Sequence, residues 1–262
     1  MNQVQRLRSF AASQLSEAST LWGVSERTVR IIALLPLALM FLGALTTLGG
    51  RDAYVLFVGE DGIAENLQVI FALAAGVFAA LCVRPLWQQG QRLIAVLYVV
   101  FALGMVFLAG EEISWGQRIF GWETPEHMLE TNRQGELNIH NLNSVEWAFK
   151  WGQLLIGLYG TAMPFLLLGW DRLKPYRSSL AYLTPHSSLL MYFLPLLVWR
   201  IYRTFGTIPQ QFYFVISEYN EVMELVLYFA FLAFMAYQWR SIAARTKASS
   251  LTMSAAINAA GK

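Results

Sequence analysis

The chain has one cysteine in 262 residues, Cys82, and it lies inside an apolar run. No intrachain disulfide, CxxC zinc site or iron–sulfur site can be built from it, and Cys82 reads as a small buried hydrophobe. Charge is also scarce. Asp, Glu, Lys and Arg make up 14% of the chain, against about a quarter in soluble domains. The net charge of +2 is small and its basic residues are dispersed, which excludes nucleic acid as a partner. There is no internal repeat, no long Pro or Ser tract and no heptad pattern, so the chain does not divide into a solenoid, a coiled coil or several domains.

What is present is apolar. Hydrophobic residues are 56% of the chain and aromatic residues 14%, more than a soluble core of this size could hide. The implied partner is the lipid bilayer. A helix needs about 20 residues to cross the hydrocarbon, and six apolar runs qualify or come close: 31–49, 66–83, 93–110, 149–170, 187–198 and 222–239. The fifth is short and its limits are open, with an extension to Tyr202 that would let Arg200 and Arg203 snorkel. The sequence therefore predicts an all-α polytopic membrane bundle of six spans, within a range of five to eight. Thirty mostly polar residues precede the first run and no A-x-A site follows it, which argues against a cleaved signal peptide.

Lysine and arginine set the orientation. With six spans and both termini in the cytoplasm, 13 of the 19 basic residues fall inside, and several of the others lie at span ends. The acidic residues go the other way: only Glu17, Glu26 and Asp171 are inside, which leaves 14 of 17 on the outer face. The organisation expected is a cytoplasmic tail over 1–30, a bundle over 31–239 with a large outer loop at 111–147, and a disordered cytoplasmic tail over 240–262. In the first tail Phe10, Leu15, Ala18, Leu21 and Trp22 recur near helical spacing beside Arg6 and Arg8, as in a helix lying on the membrane surface or in a frayed tail.

Four outer segments carry the candidate chemistry. In the first, Glu60-Asp61-Gly62, a helix starting near Gly62 places Asp61, Glu65 and Gln68 on one face; Asp61 could equally be a helix cap. The second is Gly110-Glu111-Glu112-Ile113-Ser114-Trp115-Gly116-Gln117-Arg118. Two adjacent carboxylates at a span end need a cation, a hydrogen-bond donor or water. Glu111 shares a face with Ser114 and Trp115 if the helix continues, Trp115 also suits an interfacial anchor, and Ser114 is a candidate nucleophile whose base must come from another segment. The third, 132–143, packs amides around one histidine. A helix from Glu136 would put Glu136, His140 and Asn143 on a stripe, and His140 is a candidate general base or ligand. His127 and His186 rank below it. The fourth, Glu218-Tyr219-Asn220-Glu221-Val222-Met223-Glu224, places Glu218, Glu221 and Glu224 one turn apart at the lip of the last span.

Oxygen ligands in excess over one histidine point to a divalent cation of unspecified identity, with Asp61, Glu65, Glu112, Glu136, Glu221 and Glu224 as candidate ligands. The alternative is a polar network tying helix ends, with Arg118, Arg133 and Arg203 as counter-charges. The string Gly-Glu-Glu-Ile-Ser-Trp-Gly-Gln at 110–117, with Asn138-Ile139-His140-Asn141 after it and Glu60-Asp61-Gly62 before it, resembles a group of bacterial multi-pass membrane proteins over about residues 55–230. The resemblance implies location in the bacterial plasma membrane and does not supply a function. A looser topological likeness is to alkaline ceramidases and related membrane hydrolases, from which the chain departs in having no His-x-x-x-His.

The expected function is a membrane-embedded, metal-assisted hydrolase or transferase acting on a lipid or lipid-linked substrate at the outer face. Glu111, His140 and Ser114 are its candidate catalytic residues, and Gln117, Asn138, Asn141 and Trp115 contact the head group. The alternatives are an ion- or proton-coupled transporter and a non-catalytic envelope assembly component. Oligomeric state is not readable from the sequence.

Overall fold

A computed structural model describes residues 2–132, 135–142 and 144–260, without the side chains of Leu7, Arg118 and residues 247–260. The counter-charges expected of Arg118 and Arg133, and the place of Asn143 on a stripe, thus lie outside the described residues. Among those described, regular structure is helical apart from one isolated bridge between Asn132 and Leu142.

Helix α1 (Gln3–Trp22) starts at an Asn2–Gln5 capping box and ends at Gly23, whose φ of 65° suits a left-handed cap. Ser25 caps α2 (Glu26–Leu45) by accepting from the Thr28 amide. A short α3 (Gly50–Val58) leads to α4 (Ile63–Gln88), which pairs along its length with α5 (Arg92–Glu112). Two short helices, α6 (Gln117–Phe120) and α7 (Glu126–Thr131), lie in the loop before α8 (Glu146–Gly169). Then come α9 (Arg177–Leu180), α10 (Leu190–Phe205) and α11 (Tyr213–Ala260). All six apolar runs fall in helices, with short 3-10 turns extending the first and opening the fifth.

Four helical stretches, Glu26–Gln88, Arg92–Glu112, Glu146–Gly169 and Gln210–Thr246, are long and apolar enough to cross a membrane. The first contains both α2 and α4. Helix α10, at 16 residues, is shorter than the roughly 20 of a straight crossing.

Packing follows the rule for helices in lipid, small residues inward and large apolar residues outward. On α4 the buried residues are mainly Ala64, Ala72, Ala75, Gly76, Ala79 and Cys82, whereas Ile70 and Val77 are exposed. Leu93, Val100 and Leu103 likewise point outward from α5. Helix α8 lies on α10 at two glycines. A Cβ on Gly160 would stand 2.2 Å from the Phe193 ring, and one on Gly157 would stand 3.0 Å from the Leu197 backbone. Helix α11 is central, packed against α4, α10 and α2. One end of the bundle is closed by a cluster including Leu86, Tyr98, Tyr192, Phe234 and Tyr237, with Trp22 of α1 against it.

Three expectations change. The first tail is the helix α1, packed on α2 and α11 with Ala18 and Trp22 buried, and not a frayed segment. Residues 240–260, expected as a disordered tail, continue α11 as helix. Arg200, expected to snorkel, is buried.

Candidate functional site

The site grows from the end of α5, where the helix stops at Glu112 because the next residues leave helical conformation. Ser114, Trp115 and Gly116 take φ values of 46°, 55° and 78°, three consecutive left-handed residues, two of them not glycine. Each non-glycine costs about 1–2 kcal/mol in that conformation. The turn carries Trp115 back over α5, where its indole Nε1–H donates to Glu111 Oε1 at 2.7 Å. The ring packs edge-on to Phe107 with centroids 5.5 Å apart. Only glycine permits this return, because a Cβ on Gly110 would stand 2.9 Å from the indole. The Gly-Glu-x-x-x-Trp-Gly spacing thus has a geometric cause, although the helix continuation expected there does not occur.

Glu111 is fully buried. Its other oxygen accepts the backbone N–H of Ile139 at 2.6 Å and of His140 at 2.9 Å. A carboxylate that orders two loop amides replaces the hydrogen bonds a helix would have supplied, and residues 135–142 are not helical. The stripe of Glu136 and His140 is therefore not formed. Instead Ser114 donates to Glu136, and Asn138 donates to Ser114 Oγ at 3.2 Å and to Glu136 at 3.1 Å. Asn132 donates to both oxygens of Asn138, the backbone carbonyl and the side-chain Oδ1, at 2.8 Å. Gln117 accepts from the Leu137 amide at 2.7 Å and donates to Thr124. Ser114, Gln117, Glu136 and Asn138 hold the loop in shape, and Trp115 is 41% exposed at its edge.

The loop's product is the position of His140. Its Nδ1 lies 3.4 Å from Glu111 Oε2, within ion-pair range, but out of line for a hydrogen bond. Burial of the ring disfavours the charged form, yet Glu111, Glu112 and Glu224 outweigh it and hold the imidazole pKa above its ordinary value.

His140 opens on a cavity of about 890 Å³ between α5, α8 and α11. Its polar end includes Glu65, Glu112, His140, Asn141, Glu221 and Glu224, and its deep end is apolar, with Phe101, Met105, Leu108, Ile156, Leu227 and Phe231. Tyr228 donates its hydroxyl to Glu112 at 2.6 Å. Gln68, fully buried on α4, donates to the Glu221 carbonyl at 3.0 Å and to its carboxylate at 3.3 Å. Glu224 accepts from Arg200 at 3.2 Å. Asp61 is exposed with φ 57° and Glu65 accepts its amide at 2.6 Å; the N-cap position of α4 is Gly62, without a side-chain cap, so Asp61 does not cap it.

Of the residues singled out from sequence, Glu65, Glu112, His140, Asn141, Glu221 and Glu224 meet at the cavity. Glu111 stands behind His140, Asp61 lies at the surface, and His127 on α7 is exposed. Among the described residues, no three His, Cys, Asp or Glu side chains close on one point as a metal would require. Sequence reasoning missed Tyr228, Gln153 and the inward turn of Arg200. All three sit in apolar stretches where isolated polar atoms are expensive, and that cost was the available signal.

Comparison with protein families, with characterised proteins and with solved structures finds no match. The class that fold and site define is a helical bundle with four stretches long and apolar enough to cross a membrane and a cavity polar at one end and apolar at the other.

Proposed function

We propose that this chain is a membrane-embedded enzyme acting on a lipid or lipid-linked substrate at the outer face of a bacterial plasma membrane, by hydrolysis or group transfer. One observation carries the reading: a single cavity joins an imidazole and carboxylates to an apolar end lined by Phe101, Met105 and Phe231. That shape suits an amphiphile held across the membrane interface. In this reading six helices, α2, α4, α5, α8, α10 and α11, cross the bilayer with both termini in the cytoplasm. This places the cavity mouth outside, in keeping with the lysine and arginine bias.

His140 moves a proton, its ring placed by the Glu111-anchored loop. Glu112, bonded to Tyr228, is the second acid–base group, and Asn141 orients the head group. A divalent cation would require Glu112, Glu221 and Glu224 to draw together from their present partners, so the acid–base form is preferred here. Transport of a proton or cation needs a polar route along the bundle, and the Leu86, Tyr98 and Tyr192 cluster occupies the opposite end.

The test is comparative lipid and envelope-glycan analysis of a strain deleted for the gene. We expect a lipid-linked species to accumulate and to persist when Glu112→Gln or His140→Ala protein is supplied at normal level. An unchanged profile on deletion would overturn the reading. A reporter fused after residue 143 is expected to read outside, and a cytoplasmic signal would invert the topology.

A further inference from the structure

A second cavity, about 720 Å³, opens between α5, α8, α10 and α11, and its lining is almost wholly apolar, with Leu155, Leu158, Ala162, Met163 and Phe193. Phe101, Ile156 and Phe231 line both cavities, so the two adjoin at these side chains, the first polar at one end and the second apolar and extended along the helices. A hydrocarbon chain fits the long apolar arm. The headgroup then lies among the polar residues, whose balance is uneven. Lys150 pairs with Glu146 at 2.8 Å, and His140 faces Glu111. Among the described lining residues that leaves Glu112, Glu221 and Glu224, which act on one another electrostatically, with Glu60, Glu65 and Glu218 also in the wall and Arg200 as the described guanidinium.

A second, independent feature lies in the wall of the same space. Gln153 of α8 is 8% exposed, lines the cavity, and its Oε1 accepts no hydrogen bond. A buried acceptor without a donor costs about 1–3 kcal/mol, a cost relieved by a ligand that donates. A metal ion would need its oxygens about 2.3–2.6 Å away around one point, which these side chains do not provide. An ammonium differs: its three N–H groups serve separate acceptors at ordinary hydrogen-bond distance, and its charge meets the excess carboxylate.

We propose that the ligand of this space is a long-chain amphiphile bearing a protonated amine, held with its amine among Glu112, Glu221 and Gln153 and its chain in the groove beside α8. The proposal rests on the reading of the cavity as a lipid site. It is tested on the full-length protein in phosphatidylcholine nanodiscs, measuring retention of hexadecylamine, hexadecanol and hexadecyl phosphate by mass spectrometry. The expected result is hexadecylamine bound about tenfold or more tightly than the other two, with that preference lost in Glu221→Gln and in Gln153→Leu, as the loss of a charged hydrogen bond implies. Should Glu221→Gln fail to fold, Gln153→Leu carries the comparison. Ala162→Trp, which fills the groove, weakens all three probes. Equal retention of the three probes, still weakened by Ala162→Trp, would overturn the amine and leave the lipid cavity standing. Retention of none, or retention indifferent to Ala162→Trp, would overturn both.

Discussion

Trp115 donates its indole N–H to Glu111, four residues earlier, at 2.7 Å across a turn that is not helical. The spacing is that of a helical i, i+4 pair, but the contact is made by a left-handed return of the chain. Because Glu111 also orders the amides of Ile139 and His140, this pair links the end of α5 to the loop that presents the histidine.

Glu111→Ala is expected to be the most damaging change in this loop. It leaves one indole and two backbone donors without their acceptor, at about 1–3 kcal/mol for each that stays dry. Trp115→Phe removes one donor only and should cost less. Thermal unfolding in detergent checks the order, and equal losses would mean that the loop amides find other partners.

Gly110→Ala should cost about 1–3 kcal/mol through overpacking, because its Cβ would meet the Trp115 ring at 2.9 Å. Gly104, six residues earlier on the same helix, has nothing within 4 Å of a built Cβ. Gly104→Ala is the control and should be near neutral in unfolding temperature, while Gly110→Ala also alters Trp fluorescence.

How far the sequence foretold this site can be judged residue by residue. The apolar runs identified the helices, since a bilayer demands long uninterrupted stretches. Glu112, His140, Glu221 and Glu224 were legible because charge at a span end needs a reason. The helix considered from Glu136 onward does not form, although its amides and Glu136 allow one. What decides against it is Glu111, distant in sequence, taking the Ile139 and His140 N–H groups. Arg200 was misjudged for a similar reason. At the end of a short apolar run it could reach water, but Glu224 on α11 stands close enough to hold it inside.

His140 is expected to titrate above the ordinary imidazole range, since Glu111, Glu112 and Glu224 stabilise its charged form beyond the opposing effect of burial. A raised folded-state value contributes stability that is complete below the unfolded value near 6.5. That contribution fades as pH rises through the folded value. Histidine NMR of the purified protein reads this directly. An apparent pKa at or below the ordinary imidazole value of about 6.5 would contradict it, and Glu111→Gln should lower it.

Arg200 and Glu224 form a pair in which the arginine is 2% exposed. Breaking such a pair from one side typically costs about 3–5 kcal/mol. Arg200→Met alone should therefore destabilise more than Arg200→Met combined with Glu224→Gln. A double-mutant cycle on unfolding temperature measures the coupling, and strictly additive losses would place the two groups in independent environments.

Helix α8 leans on α10, and the space between α8 and α5 is cavity. On the proposed reading of the cavity as a lipid site, that gap is a side door for a substrate dissolved in the bilayer. A molecule entering there never leaves the bilayer, and it meets His140 and Glu112 by sliding in the plane of the membrane. The concentration that governs occupancy is then the mole fraction of that molecule in its leaflet. Binding or turnover should fall when inert lipid is added at constant volume, and should not change when the same vesicles are diluted with buffer.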